Sequence, residues 1–349
     1  MKILFLSHKF SPDIGGIEVS SEILANGFAE AGHDVRVMTW SSGTNGKVFP
    51  YKIIRNPGTF QLMEQHKWAD IVFENNPCLR MIWPSIFTWR PSVVTLQTWI
   101  TRLNGKIGLQ DRLKMLHLKN AKKVIAISEA VRERCFPDAV IIGNPYQEKT
   151  FKKVEEIQKD KDFVFLGRLV SDKGADMAVN AICQLIKNNT EGSANYKHLS
   201  LTIIGDGPER SKLEAAVKEN GIEQHVHFTG NLQGEQLVAC LNRHKFMLVP
   251  SVWEEPFGIV ALEGMACGCI PIVSDGGGLP DAVGKGGLVF KRGETEDLVS
   301  KMKEILDNSI LEQNLRNAAK EHLANHRATS ISKKYLDVLG EVYNNKKNS

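Results

Sequence analysis

From Lys2 onward, a short apolar run, a loop rich in Gly, Pro or Asp, and a helical stretch follow one another; the pattern stops near residue 145 and then starts again. Residues 2–7 read as a strand, 17–31 as a helix stopped by Gly32, and 34–40 as the next strand. Further strands are expected at 53–55, 70–74, 93–97, 124–128 and 140–142. A second series is expected at 163–166, 199–204, 226–229, 246–249 and 270–273. Strands that alternate with helices need crossover connections, so they form parallel sheets covered on both faces. Asn144-Pro145 and the charged run 149–162 separate the two series. The expected class is therefore α/β with two doubly wound domains, 1–148 and 149–325, and a helix in 326–349 beyond the second domain's last strand. A length of 349 residues fits two cores better than one.

Composition narrows the class. Hydrophobic content of 42% and charged content of 24% belong to a globular chain. The apolar start is four residues long and runs into Ser7-His8-Lys9, which reads as a strand and no signal peptide. No apolar stretch reaches membrane-spanning length. Of six cysteines only Cys267 and Cys269 are close, and they lack metal spacing, so a reduced, cytoplasmic chain with no metal is expected. A net charge of +4 gives no reason to expect nucleic acid.

Ser251 to Gly268 carries the most chemistry. It follows the apolar run 246–249, and Pro256-Phe257-Gly258 opens a helix at Ile259 that Gly268 ends. Glu255 precedes the helix and Glu263 lies within it, on the face of Ile259. Between them lie first-turn N–H groups, a natural phosphate site, while carboxylates accept bonds from hydroxyls. A nucleotide sugar combines both chemistries. The same segment also reads as a buried strand and a core helix with two solvated glutamates, and the rest of the chain must decide.

The string E-P-F-G-I-V-A-L-E-G-M-A-C-G resembles the E-x7-E motif of the family 4 retaining glycosyltransferases. That resemblance implies the GT-B fold: two Rossmann-like domains facing a cleft, with the C-terminal helix returning to the first. Gly167-Arg168-Leu169 with Lys173-Gly174 resembles the family's diphosphate-binding segment, and two cations just past a strand end fit that role. P-D-I-G-G-I-E resembles its first loop, where Gly15 and Gly16 would face the donor diphosphate. Gly205-Asp206-Gly207-Pro208 resembles the loop beside the nucleotide base. The resemblance implies that Glu263 binds ribose hydroxyls and Glu255 the transferred sugar. It also implies that Phe257, Gly258 and Ile259 would line the donor. No cofactor or metal is required, because Arg168 and Lys173 supply the positive charge.

Two positions depart from the pattern. Asp281 stands where a Glu is usual, and in Val93-Val94-Thr95-Leu96-Gln97 the glutamine stands where the family has His. Gln can hydrogen-bond a hydroxyl but cannot take a proton. Retaining transfer can use the leaving diphosphate as the base, so the implied function is a metal-independent retaining glycosyltransferase. Gln97, Glu255, Arg168 and Lys173 are its expected catalytic groups, a UDP-sugar its donor, and a glycan or lipid-linked saccharide its acceptor in cell-surface polysaccharide assembly. The alternatives are a non-catalytic subunit that binds a sugar nucleotide or glycan, and a sugar-nucleotide epimerase of the same fold.

The positive charge is localised. Residues 98–134 carry 9 basic and 3 acidic side chains, including Arg102, Lys106, Arg112, Lys114, Lys119, Lys122 and Lys123. The tryptophan-rich stretch 81–90 precedes them. Such a pairing reads either as a solvated helix beside a core-packed one or as an anionic-membrane contact. The second reading expects peripheral attachment at the inner face of the membrane.

Overall fold

The computed structural model describes residues 1–13, 15–43, 46–100, 107–187 and 196–347. Arg102 and Lys106 of the basic segment lie outside the described residues. The chain divides into two units, one of residues 1–145 with 326–349 and one of 146–325.

The first unit holds β1 (Lys2–Leu6), β2 (Asp34–Thr39), β3 (Lys52–Arg55), β4 (Ile71–Asn75), β5 (Ser92–Leu96), β6 (Lys123–Ala126) and β7 (Val140–Ile141). Its helices are α1 (Gly16–Glu30), α2 (Thr59–Trp68), α3 (Leu79–Ile82), α4 (Ser85–Thr88), α5 (Leu109–Asn120) and α6 (Glu129–Cys135). The strands form one parallel sheet in the order β3-β2-β1-β4-β5-β6-β7.

The second unit holds β8 (Lys161–Leu166), β9 (Leu201–Ile204), β10 (Val226–Gly230), β11 (His244–Val249), β12 (Ile270–Ser274) and β13 (Leu288–Phe290). Its helices are α7 (Ala175–Lys187), α8 (Arg210–Glu219), α9 (Gly234–Asn242), α10 (Ile259–Ala266), α11 (Leu279–Val283), α12 (Thr295–Leu306) and α13 (Ser309–Asn325). Its parallel sheet runs β10-β9-β8-β11-β12-β13. The last helix, α14 (Ala328–Lys347), belongs to the first unit.

Each sheet winds outward from its first strand in both directions. Strand order therefore reverses at β1/β4 in one unit and β8/β11 in the other, and ligands of such sheets bind beyond the carboxyl ends at the reversal. The sheets are buried on both faces because their strands are continuous apolar runs: Ile3-Leu4-Phe5-Leu6 and Phe246-Met247-Leu248-Val249 are all buried. Helix α14 joins the first core through Ile331, Tyr335, Leu339 and Val342, a single helical face. Tyr335 packs edge-on against Phe73 with ring centroids 5.6 Å apart. Gly27 permits α1 and α14 to touch, since a Cβ there would come within 2.2 Å of the Ser332 hydroxyl. Among the described residues no helix is long and apolar enough to cross a membrane.

Candidate active site

In the second unit, β8 ends at Leu166 and the chain turns through Gly167, Arg168 and Leu169 into a single 3₁₀ turn, Ser171–Lys173. The turn is locked to its neighbours by backbone. Leu169 N–H donates to Asp206 O at 2.9 Å, and Glu209 N–H donates back to Leu169 O at 3.1 Å. Gly205, at φ 139, allows this approach, because a Cβ there would come within 1.9 Å of Gly167 O. Arg168 is exposed, and its guanidinium has no partner among the described residues.

Strand β11 delivers the second half. Asp172 O accepts from Val252 N–H at 3.0 Å and from Trp253 N–H at 3.2 Å, so the loop after β11 lies on the turn after β8. That brings Lys173 and Glu255 together in an ion pair, with the ammonium 5.5 Å above the centre of the Trp253 ring. The sequence separates this pair by 82 positions. The Ser251 hydroxyl lies 3.1 Å from Glu255 Oε1 and 3.0 Å from Asp172 O. Behind Glu255 the backbone is clamped by Gly277 and Gly278: Gly278 N–H donates to Glu255 O at 2.7 Å, and a Cβ on Gly277 would stand 2.2 Å from that oxygen.

Helix α10 starts at Ile259 behind Gly258, whose φ of 106 is open to glycine and strained for other residues. Ala261 N–H turns back to Gly258 O at 3.0 Å, and the N–H groups of Ile259 and Val260 ahead of it are the donors that a helix start offers to an anion. Phe257 is buried and anchors that turn. One turn on, Glu263 is half-buried and its carboxylate accepts no hydrogen bond from the described residues. Burial pushes its carboxyl up to about 8. A poorly solvated acceptor of this kind is suited to ligand hydroxyls.

Arg168, Lys173, Glu255, Phe257, Gly258, Ile259 and Glu263 are thus gathered around the carboxyl ends of β8 and β11. Sequence reasoning had not singled out Ser251, Trp253 or the Gly277-Gly278 clamp. The glycine pair was visible, but its contact with Glu255 needed the fold. Asp281 lies in the first turn of α11 and is half-buried. Cys267 and Cys269 are buried, which raises their thiols to about 12 and about 11, so neither is a nucleophile at neutral pH. A separate cavity of about 510 Å³ is lined by Lys153, Lys159 and Arg316 and includes none of these donor-site residues.

The remaining expected site residues lie in the first unit. Gly15 caps α1 in extended backbone, and Gly16 begins the helix. The Glu18 carboxylate folds against Gly15, so near that a Cβ there would meet Oε2 at 2.4 Å. The helix start therefore already has an anion beside it. Gln97, just past β5, is buried, and its amide donates to Asn75 Oδ1 at 2.8 Å and faces Ser20 Oγ at 3.4 Å. Asn75 donates in turn to Ser21 at 2.7 Å, and Ser21 meets Ser7 at 2.8 Å. His8 is held below its ordinary pKa by partial burial and by Lys9, Arg80 and Lys114. His225 binds the carbonyl of Leu199 at 2.9 Å.

The family model for glycosyl transferases group 1 matches residues 146–322. The chain belongs to the group 1 glycosyltransferases. A 2-deoxystreptamine glucosyltransferase of Streptomyces kanamyceticus is 28% identical to this chain over 261 residues, which cover 72% of this chain and 65% of the relative. A D-inositol 3-phosphate glycosyltransferase of Corynebacterium jeikeium is 30% identical over 186 residues, 51% of this chain and 42% of the relative. The chain thus spans less than two thirds of either relative's length. Among solved structures, Anabaena HepE in complex with UDP superposes with a TM-score of 0.81 at 18% identity, covering 98% of this chain and all of HepE. Sucrose-phosphate synthase of Thermosynechococcus elongatus gives 0.75 at 20% identity over 98% and 99% of the two chains. The chain has the GT-B fold, with two Rossmann-like parallel-sheet domains.

Proposed function

We propose that this chain is a retaining, metal-independent glycosyltransferase that moves a sugar from a UDP-sugar to a glycan or lipid-linked saccharide in cell-surface polysaccharide assembly. The observation that carries the reading is the cluster after β8 and β11: one unpartnered cation, one cation paired to a carboxylate, a helix start, and a carboxylate without a partner. Arg168 and Lys173 bind the diphosphate and stabilise the charge that grows on it as the glycosidic bond breaks. Lys173 leaves or shares Glu255 to do so, and the freed carboxylate takes hydroxyls of the transferred sugar. Glu263 accepts from the ribose. The leaving diphosphate receives the acceptor's proton on the face that the acceptor attacks, so configuration is kept and no side-chain base is needed.

Supporting the donor, HepE, a neighbour in fold, is known with UDP and with UDP-glucose. Supporting the acceptor class, another neighbour, WaaG, is a glycosyltransferase involved in lipopolysaccharide biosynthesis. The proposal includes a cytoplasmic site of action with peripheral attachment to anionic membrane through 98–134. A non-catalytic sugar-nucleotide-binding subunit is the second reading, favoured by Gln97, whose amide is bonded within the protein and cannot accept a proton. Incubation with a panel of UDP-sugars and saccharide acceptors, with the product anomer read by NMR, tests both. Transfer with retained configuration and full rate in chelator is expected. Donor binding without hydrolysis or transfer supports the second reading, and inversion or loss of activity in chelator overturns the mechanism.

A further inference from the structure

A cavity of about 680 Å³ opens in the first unit at the amino ends of β5 and β6, the edge of the sheet opposite to Gln97. Its lining includes Ser85, Trp89, Arg90, His117, Asn120 and Lys122. Several of its polar groups are unsatisfied. Arg90 gives Nη2 to Lys67 O at 2.7 Å, but its buried Nε has no partner among the described residues, nor has the buried Ser85 hydroxyl. Lys122 is exposed and pairs with no described carboxylate, whereas Lys123 beside it reaches Glu341 at 3.2 Å. His117 meets the fully buried Glu74 at 2.8 Å. Burial lowers the imidazole's pKa and the carboxylate outweighs it, so His117 and Glu74 form a pair whose charges cancel, leaving Arg90 and Lys122 as the wall's cations without a carboxylate among the described residues. Unpaired donors and uncompensated positive charge call for an anion with several oxygens.

The rim is of opposite character. Ile86 is 71% and Trp89 85% exposed, and Trp89 adopts φ 52, a conformation seldom taken by a large side chain. On α5, Leu109, Leu113, Leu116 and Asn120 recur at helical spacing on one face. The three leucines are exposed, and the stripe ends at Asn120 in the cavity lining. An apolar surface thus leads from two sides to a cationic hollow, the arrangement of a phospholipid interface with chains at the rim and phosphate within. A peptide seated on the leucines would leave the cations unanswered.

We infer that this cavity holds the phosphate of an anionic membrane phospholipid, with Ile86, Phe87, Trp89 and the leucine stripe of α5 seated in the interface around it. The inference rests on the peripheral attachment proposed above and narrows it, within 98–134, to the apolar face of α5 and Lys122, together with residues 85–90. Sedimentation of the full chain with phosphatidylglycerol or phosphatidylcholine vesicles tests it, alongside UDP binding by calorimetry. Wild type should sediment with phosphatidylglycerol only. Lys122→Glu and Leu113→Asp should each lower its partition about 10-fold, the first by reversing charge and the second by removing apolar contact, with UDP affinity unchanged. Equal partition of both variants and wild type, or no sedimentation with any vesicle, overturns the site. Protection of the cavity by glycerol phosphate without vesicle binding also overturns it, in favour of a free phosphate ligand. Glycosyl transfer to a water-soluble acceptor is measured on the same variants, so a failed lipid site and a failed transferase reading give different results.

Discussion

The two sheets reverse at equivalent places, yet the groups beyond their carboxyl ends are in opposite states. After β8 and β11 stand charged side chains with bonding capacity to spare, Arg168 unpartnered and Glu263 an ionisable carboxyl without a donor. At the ends of β1, β4 and β5 stand Ser7, Asn75 and Gln97, neutral groups already bonded to one another or to Ser21 of α1. Asn144 extends that network, accepting from Ser20 at 3.3 Å through its side chain, while its carbonyl lies 2.9 Å from His326 Nδ1. Open valence at a strand end marks where a ligand is needed. Closed valence there holds the strand ends in register and makes a rigid platform. On the function proposed above, the same topology supplies a binding edge in one unit and a structural edge in the other.

The sharpest way to break this contrast is to remove the open cation. Arg168→Ala should leave the melting temperature unchanged, since the guanidinium is exposed and unpartnered. It should raise the transfer barrier by about 2–4 kcal/mol by withdrawing a contact that strengthens as charge develops. Steady-state kinetics check it, and turnover within a few-fold of wild type removes Arg168 from the mechanism.

Next comes Glu263. Its folded pKa of about 8 lies above the ordinary carboxyl range, so the folded protein holds a proton that the unfolded chain releases. The stability associated with that proton is complete below about 4.5 and is lost as pH rises through about 8. Glu263→Gln should therefore melt higher than wild type above pH 8 and, in that range where the carboxyl is ionised, bind donor about 10- to 100-fold more weakly, since an ionised acceptor contributes about 1.5–3 kcal/mol. Melting curves across pH 5–9 with matched donor titrations separate the two effects.

In the closed network the order reverses. Gln97→Leu removes the amide that bonds Asn75 and should cost about 1–3 kcal/mol of stability, read by denaturant unfolding, with donor affinity intact. Loss of donor binding at unchanged stability would show that Gln97 belongs to the open class.

How much of this was legible depended on range. Alternation of apolar runs predicted the sheets because each strand is a local signal, and only β13, three residues after a Gly-rich turn, escaped. The charged residues after β8 and β11 were legible because their neighbours in sequence carry the motif. Their mutual arrangement was not, since the Lys173–Glu255 pair closes across the fold. Gln97 showed in sequence only that no proton acceptor was present, and its bond to Asn75 depends on strand pairing. The leucines of α5 went unread, because the basic residues of 98–134 drew the reading of that segment. Leu109, Leu113 and Leu116 recur at helical spacing and face outward, and the tryptophan-rich stretch is split between buried Met81 and Ile82 and exposed Ile86, Phe87 and Trp89.

The smallest effect probes the border between the two states. Ser251 is buried, and its hydroxyl has one proton for two acceptors, Asp172 O at 3.0 Å and Glu255 Oε1 at 3.1 Å. A proton given to the carbonyl ties the turn after β8 to the loop after β11, which is a structural bond. A proton given to Glu255 holds the carboxylate in place when Lys173 turns to a diphosphate, which is a bond of the open site. Ser251→Ala separates them, each outcome being worth about 1 kcal/mol. With donor absent, Lys173 already orients Glu255, so the proton belongs with the carbonyl and the variant should melt slightly lower. With donor bound, Glu255 loses part of its ion pair and draws the proton, so turnover should fall about five-fold while donor affinity changes less. A lower melting temperature with unaltered turnover would place Ser251 wholly in the closed class and leave Lys173 as the only side chain that positions Glu255.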